Sequence, residues 1–246
     1  MKTRLDKLMV SRGLTPSRER AQALILAGKV LVEEQKIEKA GAQVSEDSKV
    51  RLLGEDLRYV SRGGLKLERA LEHWNLDVNG KNCLDVGAST GGFTDCLLQH
   101  GADRVTAIDT GYGQIAMKLR QDARVRLLEK CNARLLTADK LDATFDLVVM
   151  DVSFISATLV LPPVVASAFP ADRAGRFGVI LVKPQFEVGR EGVGKGGIVR
   201  DEAAQLAAVD KIRACVRALG AHTTDAIDSP ILGAEGNREF LLFAGF

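Results

Sequence analysis

The sequence predicts an α/β protein in which a large doubly wound domain follows a small α+β domain. Three observations predict this class. Apolar runs of strand length alternate with helical segments after residue 60, a glycine-rich turn follows the first of these runs, and basic residues concentrate near the N-terminus. Ligands of doubly wound sheets bind beyond the carboxyl ends of the parallel strands, so functional side chains are expected there.

Length and composition suit two globular domains. The chain has 246 residues, of which 46% are hydrophobic and 27% charged, as in ordinary soluble proteins. We expect a small domain over 1–58, a joining segment over 59–64 and the large domain over 65–246. No apolar run reaches the roughly 18 residues of a membrane span, because Pro162 and Pro163 interrupt the most apolar stretch. Since the N-terminus also lacks a signal-peptide core, a cytoplasmic protein without membrane contact is expected.

The cysteine and histidine pattern gives no sign of a metal site or a disulfide framework. The four cysteines lie far apart without a C-x-x-C pair, and the three histidines lack metal-ligand spacing. We therefore expect cysteines that pack as small apolar residues, and no bound metal.

The first thirty residues carry a basic excess of 7 Lys or Arg against 2 Asp or Glu. Apolar residues at helical spacing predict a helix over 4–14 and a second helix with Thr15 as its N-cap and Pro16 at its first position. Short β signals follow over 29–32 and 49–53. A basic helix pair is a footprint of nucleic-acid binding, although a solvated basic face is the commoner case.

Two connecting segments have open roles. Residues 59–64 join the domains, either as a flexible tether or as a relay between RNA binding and cofactor binding. Residues 189–197 form a glycine-dense loop, which is either an ordinary connection or a lid over the substrate. The residue pattern favours neither alternative in either segment.

The glycine-rich turn indicates a nucleoside-type cofactor. It follows a predicted strand over 82–86 and has the spacing D-x-G-x-x-x-G-G. The next strand, over 103–109, ends in a carboxylate placed to accept hydrogen bonds from ribose hydroxyls. The turn lacks the G-x-G-x-x-G of dinucleotide sites and the G-K-[ST] of triphosphate sites, so S-adenosylmethionine, which has no phosphate, fits better. The residues expected at this cofactor are Asp85, Gly87, Ala88, Ser89, Thr90, Gly91, Gly92, Phe93, Asp109, Asn132 and Asp151.

Two apolar strands of the large domain end in charged residues. The strand over 145–151 ends in Asp151, and the next strand ends in Lys183, just before Pro184. Both groups therefore emerge at the cofactor edge of the sheet. A lysine at the end of an apolar strand is poorly solvated, which favours the neutral amine. Lys183 is accordingly a candidate general base.

Two further charged residues are expected at the same edge. The last strand, over 238–244, is predicted to insert antiparallel beside the strand of Lys183, which places Glu239 near Lys183 and Asp151. The helix over 61–75 carries a basic stripe that includes Lys66. Together these groups suit proton removal from a ribose hydroxyl, which needs a positioned base and nearby cations. The candidate catalytic residues are Lys66, Asp151, Lys183 and Glu239, although the basic stripe that holds Lys66 is by itself more often a solvated face.

The N-terminal segments RLDKLMVSRGL and SRERAQALILAGKVLV, followed by Lys39 and Val44, resemble the S4 RNA-binding domain over roughly residues 3–60. The resemblance implies that the helix pair presents basic residues to structured RNA. One departure is Glu33-Glu34-Gln35, where the family usually has an Asn-Gly type of turn. The basic residues at which RNA contact is expected are Arg4, Lys7, Arg12, Arg18, Arg20, Lys29 and Arg62.

The motifs DVGASTGGFTD, YVSRGGLKLERAL and GNREFLLF, with the K-D-K-E order of the four charged residues, extend the resemblance to the whole chain. They are similar to the TlyA-type (hemolysin A-like) rRNA 2′-O-methyltransferases, whose catalytic domain is of the FtsJ/RrmJ kind. The resemblance implies methyl transfer from S-adenosylmethionine to a cytidine ribose in 16S or 23S rRNA. It also implies a Rossmann-like class I methyltransferase sheet in the order 3-2-1-4-5-7-6, and a catalytic role for Lys66. Cys131 departs from the family, which more often has Thr before Asn-Ala-Arg on the adenine side.

Other functions fit parts of the sequence less well. A non-catalytic RNA-binding protein on this fold would be expected to have lost acid or glycine positions, which are present. A hemolysin-like activity would need an amphipathic or apolar membrane element, and none is visible. Methylation of a base or of a non-ribosomal RNA would use the same fold and cofactor, so only analysis of the product would distinguish it from ribose methylation of ribosomal RNA. Ribosomal RNA or ribosomal subunits are the expected partners, and both a monomer and a homodimer remain open.

Overall fold

The computed structural model describes residues 2–53, 58–141, 143–169 and 175–246. The chain divides into two compact units, Met1–Leu57 and Arg58–Phe246, called here the small unit and the large unit. Among the described residues, no helix combines the length and the apolar character that crossing a membrane requires.

The small unit packs two helices on short strands. A three-stranded antiparallel sheet has β2 between β3 and β5, while β1 pairs antiparallel with β4. The apolar sides of both helices, around Leu5, Met9 and Ile25, bury against Val30 and Val32 of β2. The elements are β1 (Lys2–Arg4), α1 (Leu5–Ser11), α2 (Arg18–Leu26), β2 (Val30–Val32), β3 (Gln35–Lys36), β4 (Gln43–Ser45) and β5 (Val50–Leu52).

The second helix begins later than the sequence predicted. Ser17, not Thr15, is its N-cap, because the Ser17 side chain accepts a hydrogen bond from the Arg20 backbone N–H at 3.2 Å. Ser17 has the extended backbone that an N-cap needs, with φ −149° and ψ 164°. Both residues are good N-caps, and the choice between them depends on how the chain turns after α1.

The buried carboxylate of Asp6 ties the small unit together. It accepts hydrogen bonds from Arg4 Nε and Nη2 at 3.0 and 2.8 Å, from Arg18 Nη2 at 3.2 Å and from Gln22 Nε2 at 2.9 Å. The Arg4 guanidinium is the main reason that the pKa of Asp6 lies well below its usual range. One acid thus joins β1, α1 and α2 and fixes the direction of two arginines.

The large unit is a seven-stranded sheet with helices on both faces. Five neighbouring strands are parallel, and β12 inserts antiparallel between β10 and β11. Numbered within this unit, the order reads 3-2-1-4-5-7-6. The elements are α3 (Gly63–His73), β6 (Asn82–Val86), α4 (Gly92–Gln99), β7 (Arg104–Ile108), α5 (Met117–Arg120), β8 (Val125–Leu128), β9 (Leu147–Met150), α6 (Leu161–Ala168), β10 (Phe177–Val182), α7 (Pro184–Glu187), α8 (Glu202–Ala218), β11 (Thr223–Asp228) and β12 (Phe240–Gly245).

Alternate residues of the central strands enter two separate cores. Leu84 and Val86 of β6 lie in the core that holds α6 and α8, whereas Cys83 lies in the core that holds α3 and α4. This is the period-2 pattern of a sheet buried on both faces, which explains why its strands are almost wholly apolar.

Asp85 interrupts the apolar pattern of β6. Its side chain is fully buried, and its Oδ2 accepts a hydrogen bond from the Thr94 hydroxyl at 2.6 Å. Burial raises the pKa of Asp85 to about 7, with a further contribution from the negative charge of Asp151. At neutral pH, folding therefore shifts Asp85 toward the protonated form relative to the unfolded chain.

Asp6→Asn should loosen the small unit. Since the pKa of Asp6 is lowered by folding, its contribution to stability is fully present above the unfolded-state pKa and is lost in strong acid. We expect the free energy of opening for the α1 and α2 amides, measured by hydrogen exchange at pH 7, to fall by roughly 2 kcal/mol. Asp47→Asn, at an exposed position, is the control; equal protection in both variants would contradict the role of Asp6.

Asp85→Asn should change the pH dependence of stability. Because folding raises the pKa of Asp85, the wild-type acid costs stability as pH rises between the unfolded and folded pKa values, by at most about 1.4 kcal/mol per pH unit. Thermal unfolding at pH 5 to 8 should show the variant gaining on the wild type as pH rises. Asp103→Asn, at an exposed position, is the control. If the stability of Asp85→Asn changes with pH in parallel with that of the wild type, the burial argument is refuted.

Candidate active site

The turn after β6 is shaped by contacts inside the protein. Gly87 has φ +87°, and a Cβ there would lie 2.5 Å from the Asp151 carbonyl oxygen. A Cβ on Gly92 would meet the Ser61 hydroxyl and approach the backbone N of Gly64 at 3.0 Å. The sequence interpretation, in which the glycines let a ligand approach, is therefore incomplete, because these two glycines let strands and helices approach one another.

Asp109 lies directly beyond β7 at the same edge. Its Oδ2 accepts a hydrogen bond from the Ser89 backbone N–H at 2.7 Å, and its Oδ1 accepts one from the Gly111 N–H at 2.6 Å. These bonds fix the carboxylate beside the glycine-rich turn. Each oxygen keeps further acceptor capacity for a hydroxyl donor.

Two cavities adjoin along this edge. The strand-end cavity has a volume of about 360 Å³, and its lining includes Asp109, Gln114, Asn132, Asp151 and Phe154. The lysine cavity, of about 190 Å³, is lined by Ser61, Gly63, Lys66, Gly87, Ala88, Ser89, Thr90, Gly92, Phe93, Asp151, Ser153 and Lys183. Gly87, Ser89, Asp151 and Ser153 line both cavities, which places them where the two spaces meet.

The strand-end cavity fits an adenosine-containing cofactor. Apolar walls at Ile108, Ala133 and Val160 can face a base, while Asp109 offers a carboxylate to ribose hydroxyls. Asn132 also lines this cavity, although its side-chain oxygen already accepts a hydrogen bond from the Arg134 N–H at 3.1 Å. The residues present thus suit the nucleoside part of S-adenosylmethionine.

Nine of the eleven residues expected at the cofactor line at least one of the two cavities. Asp85 and Gly91 line neither. The side chain of Asp85 is fully buried. Its carboxyl accepts a hydrogen bond from the Thr94 hydroxyl, and the negative charge of Asp151 is one cause of its raised pKa.

The four charged residues form two lysine–carboxylate pairs. Lys66 Nζ donates to Glu239 Oε2 at 2.5 Å, and both side chains are nearly buried. Lys183 Nζ lies 2.5 Å from Asp151 Oδ1. The sequence placed Glu239 beside Lys183 and Asp151, whereas its ion-pair partner here is Lys66, because α3 packs on β12 and brings Lys66 to the start of that strand.

Sequence analysis missed Ser153 and Glu187. Ser153 Oγ accepts a hydrogen bond from Lys183 Nζ at 2.7 Å. The buried carboxylate of Glu187 accepts hydrogen bonds from the Ser156 hydroxyl at 2.5 Å, the Ala157 N–H at 2.7 Å and Lys211 Nζ at 3.1 Å. The only signal for Ser153 was its place two residues after Asp151 at a strand end.

An aromatic side chain stands beside the strand-end cavity. Phe154 is 91% exposed and has a left-handed backbone with φ +64°. Its ring contacts that of Phe186, with centroids 5.3 Å apart. The loop after β9 thus presents a large apolar face to solvent at the mouth of the site.

The two segments whose roles were open are both tied to the large unit. Tyr59 is buried and donates to Glu68 at 2.8 Å, and the Val60 N–H donates to Asp95 at 2.8 Å. At the end of the glycine-dense loop, Asn237 Nδ2 donates to the Gly197 carbonyl at 2.9 Å. This bond joins the loop to the segment that carries Glu239.

The basic residues expected to bind RNA differ in their surroundings. Lys7, Lys29 and Arg62 are exposed. Arg4 and Arg18 are oriented by Asp6, and Arg12 donates to the backbone carbonyls of Glu46 and Ser48. Arg20 is half-buried. The acidic turn noted in the sequence is partly neutralised, since Glu34 Oε2 pairs with Arg51 at 2.6 Å.

Comparisons with known proteins match a different family model to each of the two units. Residues 59–246 match the model of the FtsJ-like methyltransferase family, and residues 3–50 match the S4 domain. A 16S/23S rRNA (cytidine-2′-O)-methyltransferase TlyA of Mycobacterium tuberculosis is 44% identical over 98% of this chain and 89% of that protein. Hemolysin A of Brachyspira hyodysenteriae is 41% identical over 97% of this chain and 98% of that protein.

Solved structures support the same fold. A candidate hemolysin of Streptococcus thermophilus superposes with a TM-score of 0.74 at 41% identity, covering 99% of this chain and 88% of that one. An S-adenosylmethionine-dependent methyltransferase of Mesorhizobium loti, at 15% identity and a TM-score of 0.51, covers 72% of this chain and 96% of that one and shows the fold alone. With the family match over the large unit and the cavity at its strand ends, the chain belongs to the FtsJ-like methyltransferase family, carries an S4 domain before its catalytic part, and uses S-adenosylmethionine as its methyl donor.

Proposed function

We propose that this protein methylates the 2′-hydroxyl of a cytidine ribose in ribosomal RNA. The observation that carries the proposal is the pair of lysine–carboxylate contacts beside the strand-end cavity, Lys66 with Glu239 and Lys183 with Asp151. A ribose hydroxyl is a weak acid, so its methylation calls for such an arrangement of bases and cations. The names of the relatives support ribosomal RNA and cytidine as the target.

The two lysines take different parts in this proposal. Lys183, at the end of β10, lines the lysine cavity between Asp151 and Ser153 and removes the hydroxyl proton. Lys66 lines the same cavity and donates a hydrogen bond to the buried carboxylate of Glu239. Its remaining N–H groups stabilise negative charge as it develops on the ribose oxygen.

The cofactor supplies an electrophilic methyl group on a positively charged sulfur. The chain's own residues bind and orient it. Asp109 would accept hydrogen bonds from the ribose hydroxyls of the cofactor, and the apolar walls at Ile108 and Ala133, which line the same cavity, would face its adenine. Holding both reactants in one geometry supplies much of the rate enhancement of such a transfer.

RNA is proposed to bind both units. Lys7 and Lys29 of the small unit, with Arg62 at the start of α3, offer exposed positive charge to phosphates. The exposed ring of Phe154 offers a stacking surface to a base near the cavity. Phosphate contacts position the RNA, while the cavity selects the nucleotide.

Lys183→Ala should abolish most of the reaction. Unmodified ribosomal subunits are incubated with the protein and S-adenosylmethionine, and nucleosides from 16S and 23S rRNA are analysed by mass spectrometry. We expect 2′-O-methylcytidine with the wild type and a rate at least ~100-fold lower for the variant, because a general base is lost. Exposed Lys140→Ala, which lines neither cavity, is the control. A base-methylated product, or full activity of Lys183→Ala, would refute the mechanism.

Charge reversal in the small unit should weaken RNA binding without affecting the cofactor. For the double variant Lys7→Glu and Lys29→Glu, the affinity for ribosomal subunits should fall and the slope of log K against log salt should decrease by roughly 1 for each lost phosphate contact. Calorimetry with S-adenosylhomocysteine should give an unchanged Kd. Lys140→Glu, a charge reversal at an exposed position of the large unit, serves as the control. An unchanged salt slope would exclude both lysines from the RNA interface.

A further inference from the structure

Ser153 has no assigned role, yet it lies at the centre of the site. It follows Asp151 by two residues in the loop after β9, and its exposed side chain lines both cavities. Its hydroxyl accepts a hydrogen bond from Lys183 Nζ at 2.7 Å. The Lys183 side chain itself is only 11% exposed, so its main remaining freedom is rotation of the amine.

The two partners of this amine act differently. Asp151 Oδ1, at 2.5 Å, places negative charge beside the amine, and this electrostatic attraction depends mainly on distance. The hydroxyl of Ser153 accepts a hydrogen bond, which depends steeply on angle. Ser153 therefore determines where the hydrogens of the amine point, and so also where its lone pair points.

We propose that Ser153 is the positioning residue for Lys183, directing the lone pair of its neutral amine toward the ribose hydroxyl. This inference rests on the proposed function. The hydroxyl proton moves to Lys183 Nζ, the electron pair of the broken O–H bond stays on the ribose oxygen, and the resulting ammonium later releases a proton to water. Ser153 exchanges no proton with the substrate.

The loop that carries Ser153 is anchored to the helix that follows Lys183. Glu187, in α7, accepts hydrogen bonds from Ser156 and the Ala157 N–H at 2.5 and 2.7 Å. Lys211 of α8 donates to the same carboxylate at 3.1 Å and to the Glu187 carbonyl at 2.9 Å. Since α7 begins directly after Lys183, one buried acid holds both partners of the Ser153–Lys183 contact in register.

The test compares Ser153→Ala, Ser153→Thr and Ser167→Ala in the full-length protein. Thr restores the hydroxyl. Ser167, in α6, is the matched control, because its hydroxyl donates to the Leu136 carbonyl and it lines neither cavity. For Ser153→Ala we expect kcat to fall roughly 10-fold, with KM for both substrates unchanged, because the lost hydrogen bond acts on the base alone. Ser153→Thr should recover most of the rate, and Ser167→Ala should match the wild type.

Two further measurements distinguish positioning of Lys183 from an effect on cofactor binding or on folding. The Kd for S-adenosylhomocysteine and the unfolding temperature should be the same for wild type and Ser153→Ala. Unchanged kcat in Ser153→Ala, or a Thr variant as slow as the Ala variant, overturns the inference. A weaker Kd in proportion to the lost rate overturns it in favour of cofactor binding. If the wild type forms no 2′-O-methylcytidine, the proposed function itself fails, which is a distinct outcome.

Discussion

The parallel pairing of β6, β9 and β10 is the constraint on which the site depends. In this register Val86 pairs with Met150, and Met150 pairs with Ile180. The segments that follow the three strands therefore leave the sheet at one edge. The Asp151 N–H still bonds to the Val86 carbonyl at 2.9 Å, and the Asp151 carbonyl approaches Gly87 too closely for a side chain there. The glycine-rich turn, the acid and the lysine are thus positioned by the same backbone contacts.

The charged side chains at this edge of the sheet occur as lysine–carboxylate pairs. An isolated lysine or carboxylate would be costly to bury, but Lys66 with Glu239 and Lys183 with Asp151 balance each other. Asp85 has no cationic partner among the described residues, and its raised pKa shows the cost of burying a carboxyl without one. The pairing leaves two amines at a shared cavity, each held by one acid. That arrangement suits proton removal beside a bound methyl donor.

Much of the large unit was predictable because its signals are local. The apolar runs before Asp151 and Lys183 specify strands buried on both faces, and their charged ends had to emerge at the cofactor edge. The small unit was harder. Strand β1 and its partner β4 are three residues each and mostly polar, so their pairing is visible only in space. The N-cap of α2 was likewise a choice between two suitable residues.

The sequence alone determined which residue types follow which strands, and from these the fold class, the cofactor type and the four charged candidates. The tertiary structure decided their partners. Glu239 pairs with Lys66, 173 positions away, and Ser153 rather than a more conspicuous residue receives the Lys183 hydrogen bond. It also buried the side chain of Asp85 completely. Strand formation follows from short-range periodicity, whereas side-chain pairing depends on how helices pack across the sheet, and no local pattern encodes that packing.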